Sequence, residues 1–428
     1  MHRECHTVVV GGGCLGAAAA VSLANMMPSL GHTPADVCLI EKMVVGSGLS
    51  ARHSGIVRAA NADGAAAQLA DRAAQMWRNI KQHWGVDLPV EHVGAVWIAK
   101  DSGDGGNPKW DGLKASLKER GIDFGQVSLA EARRLLPAFV RLKDDEVFYY
   151  EPDACQMDPT EVRRALYQAL RKSGVTLQEK TEVRGFERDD SGAITAVHTD
   201  QGTVRCKFVV NAAGPWSPAI FSRLGITIPV SVEPVNVANW LTSLDEVTYG
   251  MPIIADYVNL AYFRLWRDGE IHMHQPRSRG ATATARAFSE CPMHVLGADF
   301  MNEPSNQALG YSQIRIYEEM ARQRFSNVDR TVYGSGYRSY FDITPDLRFI
   351  LGPDPRVPNL IHNLGSGQAF KYSPVFGELM AQLVAGQGPL IRLSESFSIA
   401  RFDDSYMSEF WGRVRGVGHS LATETATL

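Results

Sequence analysis

The sequence lacks the features that mark nucleic-acid-binding and secreted proteins. Its 428 residues carry a formal net charge of -4 at pH 7, without a basic block or a basic run interleaved with aromatic residues. That balance opposes contact with phosphate backbones and argues against nucleic acid as a partner. The six cysteines are scattered singly, without a C-x-x-C pair. We therefore expect reduced thiols in a cytoplasmic protein, and we predict no metal site.

Long apolar runs are also missing. The longest fall well short of the roughly 18 residues that a membrane span requires. The apolar N-terminal stretch is interrupted by Gly11 to Gly13, and Glu4 does not suit the basic start of a signal peptide. No membrane span is predicted. The weakly patterned C-terminal tail, residues 396–428, is expected to lie on the surface or fray at its end.

The most informative segment is the glycine-rich turn after the first apolar run. Val8 to Val10 are β-branched and uninterrupted, as in a parallel strand that is buried on both faces. Gly11, Gly13 and Gly16 then fit the pattern G-x-G-x-x-G. The following helix, Cys14 to Met26, would direct its N-terminal amides at a pyrophosphate.

An acidic residue follows the second strand of this motif. A second apolar run, Val37 to Ile40, ends in Glu41, which can accept hydrogen bonds from a ribose 2′-hydroxyl. The order strand, turn, helix, strand and acid predicts a bound dinucleotide.

The rest of the chain alternates between helical and strand periodicity. Helices are predicted at Ala65–His83, Leu129–Phe139, Pro159–Ser173, Ser305–Phe325 and Ser373–Val384, and strands at Glu91–Ala99, Val175–Glu182, Gly185–Arg188, Ile194–Thr199, Val204–Val210, Leu260–Arg264, Glu270–His274, Arg348–Pro353 and Leu360–Asn363. The fold class is therefore α/β, a discontinuous Rossmann-type domain with a second, mixed-sheet α+β substrate domain. We assign residues 1–90, 155–235 and 330–395 to the first domain and 91–154 and 236–329 to the second.

Four further segments carry a family resemblance: the small-residue loop Gly46 to Arg58, the turn Asn211 to Trp216, Thr344-Pro345-Asp346, and Gly365 to Lys371. With the glycine fingerprint before them, they resemble the D-amino acid oxidase superfamily of FAD-dependent oxidoreductases. The nearest similarity is to its sarcosine oxidase and dimethylglycine oxidase branch, and it covers nearly all of residues 6–395.

The resemblance implies FAD as the cofactor, bound without a covalent link, and a set of contacts to it. The implied cofactor-binding residues are Gly11, Gly13, Cys14, Leu15, Gly16, Glu41, Lys42, Ser50, Arg52, His53, Ser54, Val183, Ala213, Gly214, Trp216, Gly365, Gly367, Gln368, Phe370 and Lys371.

The resemblance also implies two cations for a carboxylate substrate. Arg58 matches the arginine that ends the early loop, and Lys371 matches the lysine after the last glycine turn. Lys371 could instead stabilise negative charge on the reduced flavin. His272 and His274 share one face of a strand, and either could face the flavin or lie on an ordinary polar strand face. Tyr262 could close the pocket over the amine or serve as packing.

Three departures from the branch refine the prediction. Ser339-Tyr340-Phe341 stands where monomeric sarcosine oxidases carry the flavin-linked cysteine, so a thioether link is excluded. His53 lies one residue from the histidine that attaches FAD in the dimethylglycine relatives, which leaves that link as a less favoured alternative. No lysine lies in Ile271 to His274, where the oxygen-activating lysine is expected, and this favours a dehydrogenase.

The function predicted is oxidation of the C-N bond of an N-alkylated or cyclic amino acid similar to sarcosine, dimethylglycine or proline. One alternative is an L-2-hydroxy acid dehydrogenase, because Arg52 to Ile56 also resembles the early loop of those enzymes. Another is a flavin-bearing subunit that works with a partner subunit or an electron-acceptor protein.

Overall fold

The glycine-rich turn lies at the carboxyl edge of a six-stranded sheet in the computed structural model. The structure describes residues 2–60, 64–103, 105–106, 108–241, 250–259, 261–265, 270–274, 309–388, 395–403 and 405–406. None of the helices within those ranges is long and apolar enough to cross a membrane.

The described helices, in chain order, are α1 (Cys14–Met26), α2 (Gly64–Arg78), α3 (Ile80–Trp84), α4 (Pro108–Lys118), α5 (Leu129–Leu135), α6 (Pro159–Ser173), α7 (Ser217–Phe221), α8 (Tyr311–Arg324) and α9 (Ala369–Val384). The described strands are β1 (His2–Glu4), β2 (Thr7–Val10), β3 (Val37–Ile40), β4 (Ile56–Val57), β5 (Ala95–Lys100), β6 (Gly125–Val127), β7 (Glu146–Glu151), β8 (Cys155–Gln156), β9 (Thr176–Gln178), β10 (Val183–Arg188), β11 (Ile194–Thr199), β12 (Gly202–Arg205), β13 (Phe208–Asn211), β14 (Ser231–Leu241), β15 (Ile253–Asp256), β16 (Ala261–Leu265), β17 (Glu270–His274), β18 (Val332–Ile343), β19 (Ile350–Asp354) and β20 (Val357–Leu364).

The first sheet has the strand order β19-β20-β13-β2-β3-β9 and is parallel except for the β19–β20 hairpin. Both of its faces are covered, which explains the uninterrupted apolar run in β2. Val9 packs with the helical layer that includes α1, α6 and α9. Val8 and Val10 face the opposite core, which a four-stranded sheet of β1, β12, β11 and β10 covers.

The second large sheet has eight strands in the order β18-β14-β17-β16-β15-β5-β7-β6. Its pairs are antiparallel except for β15 and β5. Alternate side chains separate two cores: Val96 and Ile98 pack on the side of α8, whereas Trp97 packs with Ile56 and the segment that follows β4. This second core places one face of the sheet beside the early loop.

The predicted strand Val204–Val210 is wrong in one respect, because it is two strands. Residues of β12 pair with β11 and β1, whereas β13 pairs with β2 and β20. Cys206 and Lys207 carry the chain from one sheet to the other, and the amides of Lys207 and Phe208 both donate to the His6 carbonyl. An apolar run does not reveal which partner each half finds.

Several helix and strand ends also differ from prediction. The helix predicted from Ser373 begins at Ala369, so Lys371 lies in its first turn. The helix predicted over Ala65–His83 breaks at Asn79, whose amide bonds to two carbonyls at once. The strand predicted over Val175–Glu182 is limited to β9, and the predicted helix Leu129–Phe139 ends at Leu135.

The domain boundaries stay a prediction. The predicted first domain includes 231–235 and 330–343, yet β14 and β18 pair with each other in the eight-stranded sheet. The beginning of the predicted tail packs inward, since Phe397 and Ile399 are buried and Arg401 Nε donates to Asp346 at 2.7 Å.

Candidate functional site

Two glycines allow β2, α1 and β13 to approach closely. Gly11 has a φ of +101°, and a Cβ there would lie 2.6 Å from the Ala212 carbonyl oxygen. A Cβ on Gly16 would lie 1.8 Å from the Gly11 carbonyl oxygen. Only glycine fits these positions. The backbone therefore forms a tight glycine turn before the α1 N-terminus, and its role in binding a phosphate stays a prediction.

The early loop lies across this helix N-terminus. The Cys14 amide donates to Ser50 Oγ at 2.8 Å, and an Arg52 Nη donates to the Gly48 carbonyl at 3.0 Å. Leu15 is buried beneath the turn. Burial raises the pKa of the Cys14 thiol to about 11, which keeps it neutral.

Glu41 lies at the end of β3, as predicted for a ribose ligand. Its carboxylate accepts from the Gly12 amide at 2.7 Å and from the Met43 amide at 2.8 Å. Burial raises its pKa, opposed by these two hydrogen bonds. Lys42 Nζ lies 3.3 Å from Glu182, next to the buried Val183. The two pieces predicted for the ribose and the adenine therefore meet at one edge.

The turn at 211–216 approaches the early loop. Gly214 has a φ of +52°, and the Trp216 ring lies 3.8 Å from where a Cβ on Gly48 would be. Ala213 is buried before this turn.

The last glycine turn is anchored by a buried carboxylate. Asp342 accepts from the Gly367 amide at 3.0 Å and from the Gly365 amide at 3.4 Å. Ser366 adopts a φ of +44°, and its hydroxyl bonds to Thr344 Oγ1 at 3.0 Å. Gln368 then occupies the N-cap position of α9, without a side-chain hydrogen bond to the helix. These contacts hold a strained turn in place.

His53 lies three residues before β4 and beside Ser54. The Gly55 amide donates to its Nδ1 at 2.9 Å, so the neutral ring carries its proton on Nε2. The ring stacks on Phe370 with centroids 3.7 Å apart. Burial, reinforced by the charge of Arg264, lowers the pKa of His53 to about 3. Its Nε2 is buried without a hydrogen-bond partner among the described residues.

Arg58 packs between two aromatic rings. Its guanidinium carbon lies 4.8 Å from the Trp97 ring centroid and 5.4 Å from that of Tyr262, distances typical of cation–π contacts. One Nη donates to the Ala60 carbonyl. Tyr262 bonds to Tyr257 through their hydroxyls at 2.9 Å. The arginine is therefore held at a wall of the eight-stranded sheet.

Lys371 approaches the same cluster from α9. It is 6% exposed, and its Nζ has no hydrogen-bond partner within the described part of the chain. The Nζ lies 4.8 Å from the Tyr372 ring centroid, and Trp77 Nε1 donates to the lysine's own carbonyl at 2.9 Å. Burial, then the charge of Arg58, lowers the pKa of Lys371 well below its usual value, and Glu151 opposes this.

The remaining predicted site residues are described only in their backbone. His272 pairs with Arg264 and His274 pairs with Tyr262 on neighbouring strands. Their side chains lie outside the described part of the structure, so the predicted roles of both histidines stay predictions.

Sequence reasoning missed three residues of this cluster. Glu151 is fully buried and accepts from the Ala59 and Ala60 amides and from Trp97 Nε1. Arg264 is 2% exposed and donates to the Met157 carbonyl at 3.3 Å. The alternation of side chains along a strand could have indicated Arg264, because it lies on the same face of β16 as the predicted site residue Tyr262. Glu151 and Trp97 carried none, since they lie in strands that are buried on both faces.

The residues present fit a bound FAD. A glycine cradle and a helix N-terminus face a pyrophosphate site, and a carboxylate ends β3. Two buried polar atoms, Lys371 Nζ and His53 Nε2, lack partners in the described structure, and such atoms ordinarily have one. Fold and glycine turns together define a dinucleotide-binding protein, in which the buried cations Arg58 and Lys371 lie near each other.

Residues 6–383 match the family described as FAD dependent oxidoreductase, and the chain belongs to this D-amino acid oxidase family. The match confirms the predicted family and FAD as its cofactor.

Curated relatives are distant. The chain is 23% identical over 388 residues to 4-methylaminobutanoate oxidase (formaldehyde-forming) of Paenarthrobacter nicotinovorans, covering 90% of this chain and 44% of that protein. It is 22% identical over 420 residues to human peroxisomal sarcosine oxidase, covering 92% and 95%. The similarity to sarcosine oxidase subunit beta of an Arthrobacter species is 22% over 423 residues, covering 95% and 93%. The chain spans less than half the length of some relatives. Its match to human mitochondrial dimethylglycine dehydrogenase, for example, covers 29% of that protein.

Solved structures confirm the fold. L-proline dehydrogenase from P. horikoshii superposes with a TM-score of 0.78 at 20% identity, covering 94% of this chain and 98% of that chain. Glycine oxidase from Geobacillus kaustophilus gives a TM-score of 0.76 at 18% identity, covering 93% and 99%. The predicted α/β fold class is therefore correct.

Proposed function

We propose that this protein oxidises the C-N bond of a small N-alkylated or cyclic amino acid. The observation that carries the proposal is the buried Nζ of Lys371, which has no hydrogen-bond partner in the described part of the chain and lies near enough to Arg58 for their charges to interact. Two cations with one buried counter-charge, Glu151, would suit a single carboxylate. The similarity to a 4-methylaminobutanoate oxidase and to a sarcosine oxidase supports the same substrate class.

The chain's own residues orient the substrate. Arg58 and Lys371 would bind the carboxylate, each such contact contributing roughly 1.5–3 kcal/mol. Tyr262 and Trp97 would line the wall and exclude water. The two cations lower the pKa of a nearby ammonium, which favours the neutral amine.

A bound FAD would accept two electrons and a proton, as a hydride equivalent, from the carbon next to the substrate nitrogen. The nitrogen lone pair would form the C=N bond of an imine, to which water would add. An N-alkylated substrate would then separate into a carbonyl compound and an amine, whereas a cyclic substrate would open to one molecule that carries both groups. Gly11, Gly16, Glu41 and the turns at 211–216 and 365–368 would hold the cofactor, without a covalent bond to His53.

An anaerobic reduction screen tests the proposal. Sarcosine, proline, 4-methylaminobutanoate and 2-hydroxy acids are mixed separately with the FAD-loaded protein, and loss of the visible flavin absorbance is followed. We expect bleaching by one or more amines. Bleaching by hydroxy acids alone would replace this function with C-O bond oxidation.

Three further measurements complete the proposal. We propose a dehydrogenase, so air should re-oxidise the bleached protein slowly compared with an artificial acceptor. Acid precipitation should leave FAD in the supernatant, and yellow precipitate would show a covalent link. The similarity to a sarcosine oxidase beta subunit supports a proposed partner subunit, for which restored turnover on adding a co-expressed partner is the test.

A further inference from the structure

A line of buried polar side chains runs from the β19–β20 hairpin to the turn at 211–216. Asp354, His362, Asn211 and Ser217 are each at most 2% exposed. His362 Nε2 lies 2.9 Å from Asp354 Oδ2, and His362 Nδ1 lies 3.1 Å from Asn211 Nδ2. Asn211 Oδ1 completes the line by accepting from Ser217 Oγ at 2.8 Å and from the Ala213 amide at 3.2 Å.

Only one assignment of donors and acceptors satisfies every atom in this line. Arg356 donates to Asp354 through Nη2 at 2.7 Å and Nε at 2.9 Å, so the carboxylate is ionised and acts as an acceptor. His362 must then donate through Nε2 and accept at Nδ1. That makes the Asn211 amide nitrogen a donor, which points its oxygen at the turn.

Asn211 therefore clamps the turn on both sides. Its oxygen holds the Ala213 amide and the first residue of α7, and Gly214 and Trp216 lie between these two points. The Ala212 carbonyl also lies against Gly11, where a Cβ would clash. A change in the clamp would alter the backbone that faces the proposed pyrophosphate and flavin.

We propose that Asp354 and His362 are positioning residues for the turn at 211–216, and that protonation of His362 releases this turn and weakens FAD binding. The inference rests on the proposed placement of FAD against the turn. It does not depend on which substrate the protein oxidises.

The chemistry of the imidazole explains the release. A protonated ring carries N–H groups on both nitrogens, so His362 Nδ1–H would face the Asn211 amide NH2, two donors without an acceptor. Turning the amide would restore that bond but would direct its NH2 at the Ala213 amide. Either response breaks the clamp.

The groups around His362 determine whether its pKa is raised or lowered. Burial lowers the pKa of His362, although the hydrogen bond and charge of Asp354 oppose this. Arg356 also lowers it, and Asn211, which faces the ring from β13, is uncharged. The clamp is therefore intact at neutral pH and fails in acid.

The test is the release of FAD from the holoprotein, followed by flavin fluorescence after dilution between pH 5 and 8.5. Loss of one buried hydrogen bond predicts release about five- to tenfold faster at the acid end for the unsubstituted protein. His362→Gln keeps a donor and an acceptor without titrating, so its release rate should vary little with pH. His362→Phe should release FAD about tenfold faster at every pH.

Controls separate this role from a general loss of fold. His198→Gln removes a half-exposed histidine of β11 that bonds to Thr203, and it should retain the unsubstituted profile. Asp354→Asn removes the charge that favours the imidazolium, so its acid-promoted release should begin at lower pH. Visible circular dichroism of the bound flavin should change in His362→Phe and not in His198→Gln.

The inference fails if His362→Gln keeps the pH profile of the unsubstituted protein, or if that protein shows no acid-promoted release. These readouts need no turnover, so a failed substrate screen would leave them informative. If His362→Gln does not fold, an unshifted profile in Asp354→Asn would overturn the inference.

Discussion

Lys371 is the residue whose burial and missing hydrogen bond most clearly indicate a bound ligand. Its amine is buried on α9, carries no hydrogen bond within the described structure and faces Arg58 and Glu151. A buried amine without a partner destabilises the fold unless something else binds it. A substrate carboxylate would remove that cost, because it supplies both an acceptor and a counter-charge.

Replacing this amine by an isosteric apolar side chain should therefore weaken substrate binding more than folding. For Lys371→Met we expect a KM for the amino acid substrate about 10- to 100-fold higher, from the loss of one charge-assisted hydrogen bond. FAD content should change little. Lys118→Met, on the exposed end of α4, is the matched control. An unchanged KM would contradict the role assigned to Lys371.

His53 gives the site a pH-dependent contribution to stability. Its pKa is lowered from 6.5 to about 3 by burial and by Arg264, so the unfolded chain binds its proton more readily than the folded one. The contribution is therefore present above about pH 6.5 and is lost as the pH falls towards 3. The loss is at most about 1.4 kcal/mol per pH unit over that range.

His53→Gln should remove this dependence. Chemical unfolding at several pH values between 4 and 7, with a fixed excess of FAD, should give a shallower fall in the free energy of unfolding than for the unsubstituted protein. His198→Gln should leave the slope unchanged. Equal slopes in the unsubstituted protein and His53→Gln would show that the ring is not held neutral.

Among the helices, α1 and α9 pack unusually closely. A Cβ on Gly377 of α9 would lie 2.6 Å from the Ala18 carbonyl oxygen of α1, and α1 contributes four consecutive buried alanines, Ala17 to Ala20. Small side chains let the two backbones approach, and this contact holds both the phosphate turn and the helix that carries Lys371.

The same substitution should have opposite effects at two helical glycines. Gly377→Ala forces α9 away from α1 and should lower the free energy of unfolding by about 1–3 kcal/mol. Gly112→Ala lies inside α4, where a Cβ meets nothing within 4 Å, and it should raise stability by about 0.5–1 kcal/mol through helix propensity. Denaturant titration of both variants checks the pair. A stable Gly377→Ala protein would show that the contact can relax.

The limits of sequence reasoning are clearest at the level of elements. The glycine fingerprint, α1 and Glu41 could be predicted because their local order determines a turn and the strands on either side of it. The run Val204 to Val210 could not be divided, because which strand each half pairs with depends on distant residues. Glu151 and Trp97 could not be predicted as neighbours of Arg58 for a related reason. Both faces of β5 and β7 are buried, so the sequence does not show which face contacts Arg58 and which faces the opposite core.

At the scale of the whole molecule, Glu151 links the eight-stranded sheet to the loop that follows β4. It ends β7 of the eight-stranded sheet, yet it accepts from the amides of Ala59 and Ala60, which follow β4. Burial raises the pKa of Glu151, while Arg58 lowers it. Its charge in turn raises the pKa of Lys371, against the larger effects of burial and of Arg58.

Glu151→Gln should consequently change the pH range in which the substrate binds. In the proposed function the substrate carboxylate binds protonated Lys371, so KM should rise as the pH passes through the pKa of this lysine. Removing the charge of Glu151 lowers that pKa further, and the rise in KM should begin at lower pH. Glutamine can still accept from the Ala59 and Ala60 amides, so the loop should keep its position. KM measured from pH 6 to 10 checks this, with Glu161→Gln on α6 as a surface control. An onset that stays in place or moves to higher pH would mean that Glu151 does not act on Lys371.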